Sequence, residues 1–357
     1  MTFSRQDTAI AKAVAIVLMF IHHLFLFSDR LPEGVYYLPI TPHNYELILA
    51  TFGKLCVMIF VCLSGFGTYK SLMKTDDTAS FVLKKIYGLY KKYWSVFFIF
   101  IPIGLLLGVK RISRNPVSFI YNLLGISTSY NGEWWFFSPF ILLCIASPFL
   151  IKIVNKKYSS PAVDFIIILL SAAFCEDIIP QIFDMKFLST FSSTFFGTNL
   201  EKMFYFIPSF LMGATIAKYD LFDKYLSTFK KWYISIPVSS VIMFLTLYMR
   251  HKTGSRADFV FAPLFIISSV SFIRGIPFIS SISKEIGSVS TELWLTHSFF
   301  CYHFIPRIIY APKYSILVLI WLLIISYAAS KLLVLLVKLF EKSIVEIKAG
   351  NLKKQHA

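Results

Sequence analysis

The stretch Ala9–Phe27, AIAKAVAIVLMFIHHLFLF, decides the fold. As a helix it is long and apolar enough to cross a hydrocarbon core of about 30 Å. Yet it carries Lys12, His22 and His23. Ionisable groups at membrane depth are costly, so each is a candidate functional group. Lys12 and His23 are eleven residues apart. At about 100° and 1.5 Å per residue they share one helix face, about 20° and 16 Å apart, while His22 points about 80° away. No small-residue cleavage site follows, so the segment is expected to stay in the mature chain rather than act as a signal peptide.

Similar apolar runs recur along the 357 residues, of which 57% are hydrophobic and 15% charged, with a mean hydropathy of +0.69. This composition excludes a soluble enzyme, a disordered tail protein and a collagen-like fibre. The runs lack strict alternation and predict helices over about 9–27, 51–70, 93–109, 134–154, 162–178, 203–217, 233–249, 258–273, 292–309 and 314–337. The fold class is therefore an all-α, polytopic membrane bundle of about ten helices. Residues 1–345 form one integral membrane domain, and 346–357 form a short basic cytoplasmic tail. The loops leave no room for a soluble domain. Alternating the segments from a cytoplasmic N-terminus puts 22 Lys and Arg inside and 11 outside, which sets both termini in the cytoplasm. Topology thus accounts for the net charge of +16 without a nucleic-acid partner. The odd set Cys56, Cys62, Cys144, Cys175 and Cys301 contains no CxxC pair. It is read as buried small residues, with no disulfide framework and no metal site.

Other polar groups stand out. Ser64-Gly65 and Gly67 make a small-residue surface suited to close helix packing. The basic, aromatic stretch SFVLKKIYGLYKKYW, with Lys84, Lys85, Lys91 and Lys92, is read as a cytoplasmic loop. It suits anionic lipid or the phosphates of a nucleotide-like donor. Trp134 and Trp135 mark an interface, with Glu133 beside them at about the level of His23. In STELWLTHSFFCYHFIP, His297 is expected near the cytoplasmic side, with Glu292 about one turn earlier and His303 nearer the outer end.

Taken in order, four regions resemble the membrane acyltransferase-3 family. Lys12 and His23, with His22 completing a double histidine, resemble its opening signature of a basic residue, ten residues and a histidine. MIFVCLSGFGTYKS resembles its apolar run ending in Ser-Gly-Phe. NGEWWFFSPFILLCIASPFL resembles its Trp-rich fourth helix, and STELWLTHSFF its late Leu-x-His helix. One departure is clear. Members often carry Arg-x-x-Arg after the second helix, whereas here Lys85 stands for the first arginine and Gly88 occupies the place of the second. Lysine does not reproduce a bidentate guanidinium fork, so Lys84, Lys91 or Lys92 is expected to take over.

The resemblance implies an acyltransferase moving groups other than aminoacyl groups. It implies cytoplasmic acyl-CoA, most often acetyl-CoA, as a donor substrate rather than a bound cofactor. The acceptor is a hydroxyl of an envelope glycan, surface polysaccharide or lipid-linked saccharide, and the setting is the multi-pass bacterial cytoplasmic membrane. Catalytic candidates are His23, Lys12, His22, Glu133 and His297. Substrate-binding candidates are Lys84, Lys85, Lys91, Lys92, Ser64, Trp134 and Trp135. Some members carry an added soluble domain, so this chain is expected to act alone or with a separate partner. A transporter or flippase for lipid-linked sugars is the alternative, since it too shows ten helices and midplane charge. The orientation is testable with single cysteines and an impermeant reagent on intact cells. Residues 110–132 and 176–202 should label, and residues 71–92 should not. Labelling of 71–92 would invert the assignment.

Overall fold

The computed structural model describes residues 1–41, 45–75, 77–156 and 160–355, with the side chains of 344, 345 and 347–355 left out. Lys157 and residues 356–357 of the expected tail lie outside the described residues, as do the side chains of Lys348, Lys353 and Lys354. About 80% of the chain is helical, and no strand occurs among the described residues. In order come α1 (Arg5–Leu26), α2 (Tyr45–Gly53), α3 (Cys56–Leu72), α4 (Thr78–Leu106) and α5 (Pro116–Leu123). A 3₁₀ turn, Gly132–Phe136, leads into α6 (Phe137–Val154). Then follow α7 (Pro161–Ala173), α8 (Ile179–Phe183), α9 (Ser189–Ser192), α10 (Phe195–Lys218) and α11 (Leu221–Thr228). The remainder is α12 (Trp232–Thr253), α13 (Asp258–Arg274), α14 (Pro277–Ser288), α15 (Ser290–Ser298), α16 (Pro306–Ile309) and α17 (Ser315–Gln355).

All ten expected segments are helical. Among the described residues, six stretches are long and apolar enough to cross a membrane: Arg5–Leu26, Tyr45–Leu72, Thr78–Leu106, Gly132–Val154, Trp232–Thr253 and Ser315–Ser343. One expectation is corrected. Residues 78–92 are not a loop but the first half of α4, begun where Asp77 accepts from the Ser80 N–H at 2.9 Å. Lysine, leucine and tyrosine at helical spacing favour helix over loop, so the four lysines are fixed on one rigid element. α17 runs unbroken through the domain boundary expected at 345.

α1 is the central element. Ser4 and Asp7 form a capping box at its start, with Asp7 Oδ2 accepting from the Ser4 N–H at 2.6 Å. Arg274 at the end of α13 donates Nε–H to Asp7 Oδ1 at 2.5 Å, pinning the two helices together. At the α2–α3 break, a Cβ on Gly53 would lie 2.4 Å from the Leu18 carbonyl oxygen, so only glycine lets α2 close on α1. The break leaves the Thr51 carbonyl free. Arg250 Nη1 takes it at 3.0 Å, and its fork binds Asp258 at 2.7 and 2.9 Å. Irregular backbone at membrane depth survives only when satisfied this way or when it lines a cavity.

α3 and α10 approach still more closely. A Cβ on Gly65 would stand 2.0 Å from the Phe210 carbonyl oxygen, and one on Gly213 would stand 2.0 Å from that of Cys62. Gly67, by contrast, faces open space. Gly65→Ala should therefore cost about 1–3 kcal/mol through overpacking, and Gly67→Ala about 0.5 kcal/mol or less. Thermal unfolding of the two detergent-solubilised variants checks this; equal midpoints would refute the backbone contact.

Candidate functional site

A cavity of about 1590 Å³ follows α1 along its whole length. Thr8, Lys12, Met19, His23 and Leu26 line it at helical spacing. Thr8 to Leu26 is about 27 Å at 1.5 Å per residue, close to the thickness of a hydrocarbon core. Two polar clusters mark its length.

The first surrounds Lys12, which is half-buried and within electrostatic range of Lys85, Lys92 and Glu292. Lys85 donates from Nζ to Ser64 Oγ at 2.9 Å and to Thr68 Oγ1 at 2.8 Å. Lys92 pairs with buried Glu292 at 2.9 Å, whose other carboxylate oxygen has no partner among the described residues. Lys85, Gly88 and Lys92 share one face of α4, and all three line the cavity. Nothing lies within 4 Å of a Cβ built on Gly88. The space is thus open where a second arginine would project, and Lys92 supplies a cation one turn farther along. Lys84 is exposed, and Lys91 pairs with Glu341; neither lines the cavity.

The second cluster is built on His23, which is 7% exposed. Its Nε2 lies 3.4 Å from Glu133 Oε2, and the other carboxylate oxygen of Glu133 accepts from the Arg30 guanidinium. Arg30 also lies over the Phe27 ring, 3.8 Å from its centroid. The Tyr302 hydroxyl donates to the His23 carbonyl at 2.6 Å and sits 3.4 Å from Nδ1. Glu133 is held by its turn. Asn131 accepts from the Glu133 N–H at 3.1 Å and exchanges hydrogen bonds of 2.8 and 3.0 Å with the Ser298 hydroxyl. The Trp294 indole N–H donates to the Glu133 carbonyl at 3.2 Å. The turn is thereby stapled to α15.

His297 differs from its expected place. It is not toward the Lys12 end but beside His23, with ring centroids 4.9 Å apart, and packs on Phe20 at 5.3 Å. Its Nδ1–H donates to the Trp294 carbonyl at 2.8 Å, which leaves Nε2 buried and unpartnered among the described residues. It is wholly buried and does not line the cavity, so it backs His23 rather than facing a substrate. His22 does line the cavity, with Nδ1–H donating to the Ala50 carbonyl at 2.7 Å. Ser64 serves the first cluster through Lys85. Trp134 and Trp135 part company: Trp134 is wholly buried, donating to the Leu295 carbonyl at 3.0 Å, whereas Trp135 faces the cavity under Lys202.

Sequence reasoning overlooked Arg30, which it counted only as an outer basic residue, and Tyr302. Arg30 lies in the 3₁₀ turn Ser28–Arg30, past the end of α1, so helical spacing from His23 does not reach it and gave no signal. Tyr302 comes from a distant π-helical segment, Phe299–Phe304, and gave none.

Residues 9–337 match the acyltransferase-3 family model, described as an acyltransferase domain. The chain belongs to that family and is a membrane acyltransferase. No curated protein and no solved structure matches it.

The tryptophan pair yields a prediction that needs no substrate. Trp134→Phe strands the buried Leu295 carbonyl and should cost about 1–3 kcal/mol. Trp135→Phe should cost about 0.5 kcal/mol or less. Thermal midpoints compare them, and equal losses would contradict the assignment of Trp134 to the core.

Proposed function

We propose that this acyltransferase takes an acyl group from cytoplasmic acyl-CoA, most often acetyl-CoA, and transfers it to a hydroxyl of a cell-envelope or surface carbohydrate in the bacterial cytoplasmic membrane. The observation that carries the reading is the cavity along α1, with a lysine cluster toward one end and the His23–Glu133 pair toward the other. A donor inside and an acceptor outside need such a path. The positive-inside bias supports the Lys12 end as the cytoplasmic one.

At that end Lys12, Lys85 and Lys92 face one buried carboxylate, Glu292. The excess positive charge suits the donor's phosphates, bound by charge-assisted hydrogen bonds. The pantetheine arm then extends along α1 toward His23. A neutral His23 imidazole takes the proton of the acceptor hydroxyl as its oxygen attacks the thioester carbonyl. The carbon–sulfur bond breaks, the CoA thiolate leaves, and the proton passes to the thiolate. Glu133 against Nε2 fixes the ring and stabilises the imidazolium, while Arg30 orients Glu133 through its other carboxylate oxygen. This division of labour is that of a base held by a carboxylate. His297, Tyr302 and the Asn131–Ser298 staple act as positioning groups. Trp135 offers a ring face to the sugar. A transporter would need none of this geometry around a single imidazole.

His23→Ala should lower acyl transfer per correctly inserted molecule by about 10²–10⁴, with His22→Ala milder. Glu133→Gln should lower kcat with little change in the acyl-CoA KM. Lys85→Met and Lys92→Gln should instead raise that KM, since phosphate contacts made equally in ground and transition states act as uniform binding. CoA release, read together with mass analysis of envelope glycans, measures all five. Wild-type protein that never consumes the thioester would overturn the function, and near-normal His23→Ala would overturn the base.

A further inference from the structure

Around and past His22 and His23 the cavity wall carries more positive charge than the chemistry there needs. Arg30, Lys54, Arg111, Lys202 and Arg256 line it, against the carboxylates of Glu133, Glu176 and Glu201. Two of these cations are already matched. Arg30 pairs with Glu133, and Arg256 lies 3.2 Å from Asp177. Lys54, Arg111 and Lys202 have no ion pair among the described residues. Glu201 is next to Lys202 in sequence, and Glu176 next to Asp177 in the Arg256 pair, so neither stands opposite Lys54 or Arg111 in an ion pair.

The three cations outside any ion pair come from separate elements, yet each stands beside a neighbour of the catalytic pair, Lys54 within electrostatic range of His22. Lys54 sits at the α2–α3 break beside Gly53, whose Cβ, if added, would meet His22 Cβ at 3.0 Å. Arg111 covers Gly132, where an added Cβ would meet Nη2 at 3.1 Å, and Gly132 directly precedes Glu133. Arg111 is held there by donating Nε–H to the Ser129 carbonyl at 2.8 Å. Lys202 lies over the Trp135 ring, 5.6 Å from its centroid, two residues past Glu133. Glu201 is within electrostatic range of Lys202, and Asp258, already paired to Arg250, of Lys54, yet the lining cations still outnumber the lining carboxylates; a neutral sugar requires ring faces and hydroxyl partners rather than such an excess.

We infer that the acceptor is an acidic saccharide, whose carboxylate or phosphate is held by Lys54, Arg111 and Lys202 while Trp135 supports a sugar ring and His23 meets the hydroxyl. This rests on the transfer reaction proposed above and names the class of its acceptor. Cations on three sides fix the anionic group in place and so select which hydroxyl reaches the imidazole.

The test uses full-length protein in nanodiscs with three probes: a uronate-containing oligosaccharide, the same oligosaccharide with its carboxyls reduced to alcohols, and a glycerol-phosphate oligomer. Binding is measured directly, and transfer is measured with acetyl-CoA. The uronate or the phosphate oligomer should bind at least about tenfold more tightly than the reduced one, and the stronger of the two identifies the anion. The preference should weaken with added salt. Lys54→Gln with Lys202→Gln should reduce it to near parity, and Lys54→Arg with Lys202→Arg should keep it. Equal binding of acidic and reduced probes by wild-type protein would overturn the inference, whether or not the variants fold. Selective binding of an acidic probe without any thioester consumption would leave the inference standing and refute the transfer reaction instead.

Discussion

A carboxylate beside an imidazole in a membrane interior needs a fixed counter-charge. Without one, burial favours protonating the carboxylate, and it can no longer support an imidazolium. Here Arg30 supplies that charge from the turn after α1, on the carboxylate oxygen opposite the one facing His23. Everything around it serves to keep this triplet in register. α1 presents His23, the 3₁₀ turn presents Glu133, and α15 clamps the turn through Asn131–Ser298 and Trp294. Tyr302 ties the His23 backbone to the π-helical segment after α15.

The rest of the bundle holds a large cavity open without collapsing. Close backbone contacts on one side, at Gly65 and Gly213, let α3 and α10 pack as one body. The aromatic cluster of Tyr93, Phe97, Phe100, Trp134 and Phe299 braces α4 against the Glu133 turn and α15. Between these two packed regions the cavity runs along α1 past Lys12, His22 and His23. Lys85 donates to the hydroxyls of Ser64 and Thr68 and lies over the Phe140 ring, 5.8 Å from its centroid, contacts that solvate an ammonium without neutralising it. Its charge therefore remains available to a ligand.

Much of this was readable from residues alone, for definable reasons. The ten helical segments follow from apolar runs whose length is set by the bilayer. Lys12 and His23 on one cavity wall follow from an eleven-residue spacing, and Glu133 at the level of His23 follows from its place beside the paired tryptophans. What could not be read depends on partners distant in sequence. The SFVLKK stretch looked like a basic loop because charge density outweighed helix propensity in its reading, yet α4 starts at Thr78. His297 seemed to lie elsewhere because a depth estimated from helix ends ignores the tilt and broken ends of a helix only nine residues long, α15. Trp134 and Trp135 are adjacent and identical in type, and no local pattern separates the one in the core from the one in the cavity. Lys54, Arg111 and Lys202 lie on three different elements, so only the fold brings them round one chamber.

The lining of that chamber also bears on a hazard common to any passage as long as a bilayer is thick. Counted over its full length, the wall presents the eight cations Lys12, Arg30, Lys54, Lys85, Lys92, Arg111, Lys202 and Arg256 against three carboxylates. In a low-dielectric surround such a wall raises a steep electrostatic barrier to sodium, potassium and hydronium ions, much as a ring of arginine excludes cations from a pore. Under the proposed transfer, the residues that would hold anionic substrates would thus also guard the membrane's ion gradients, so that transfer across the bilayer need not short-circuit it.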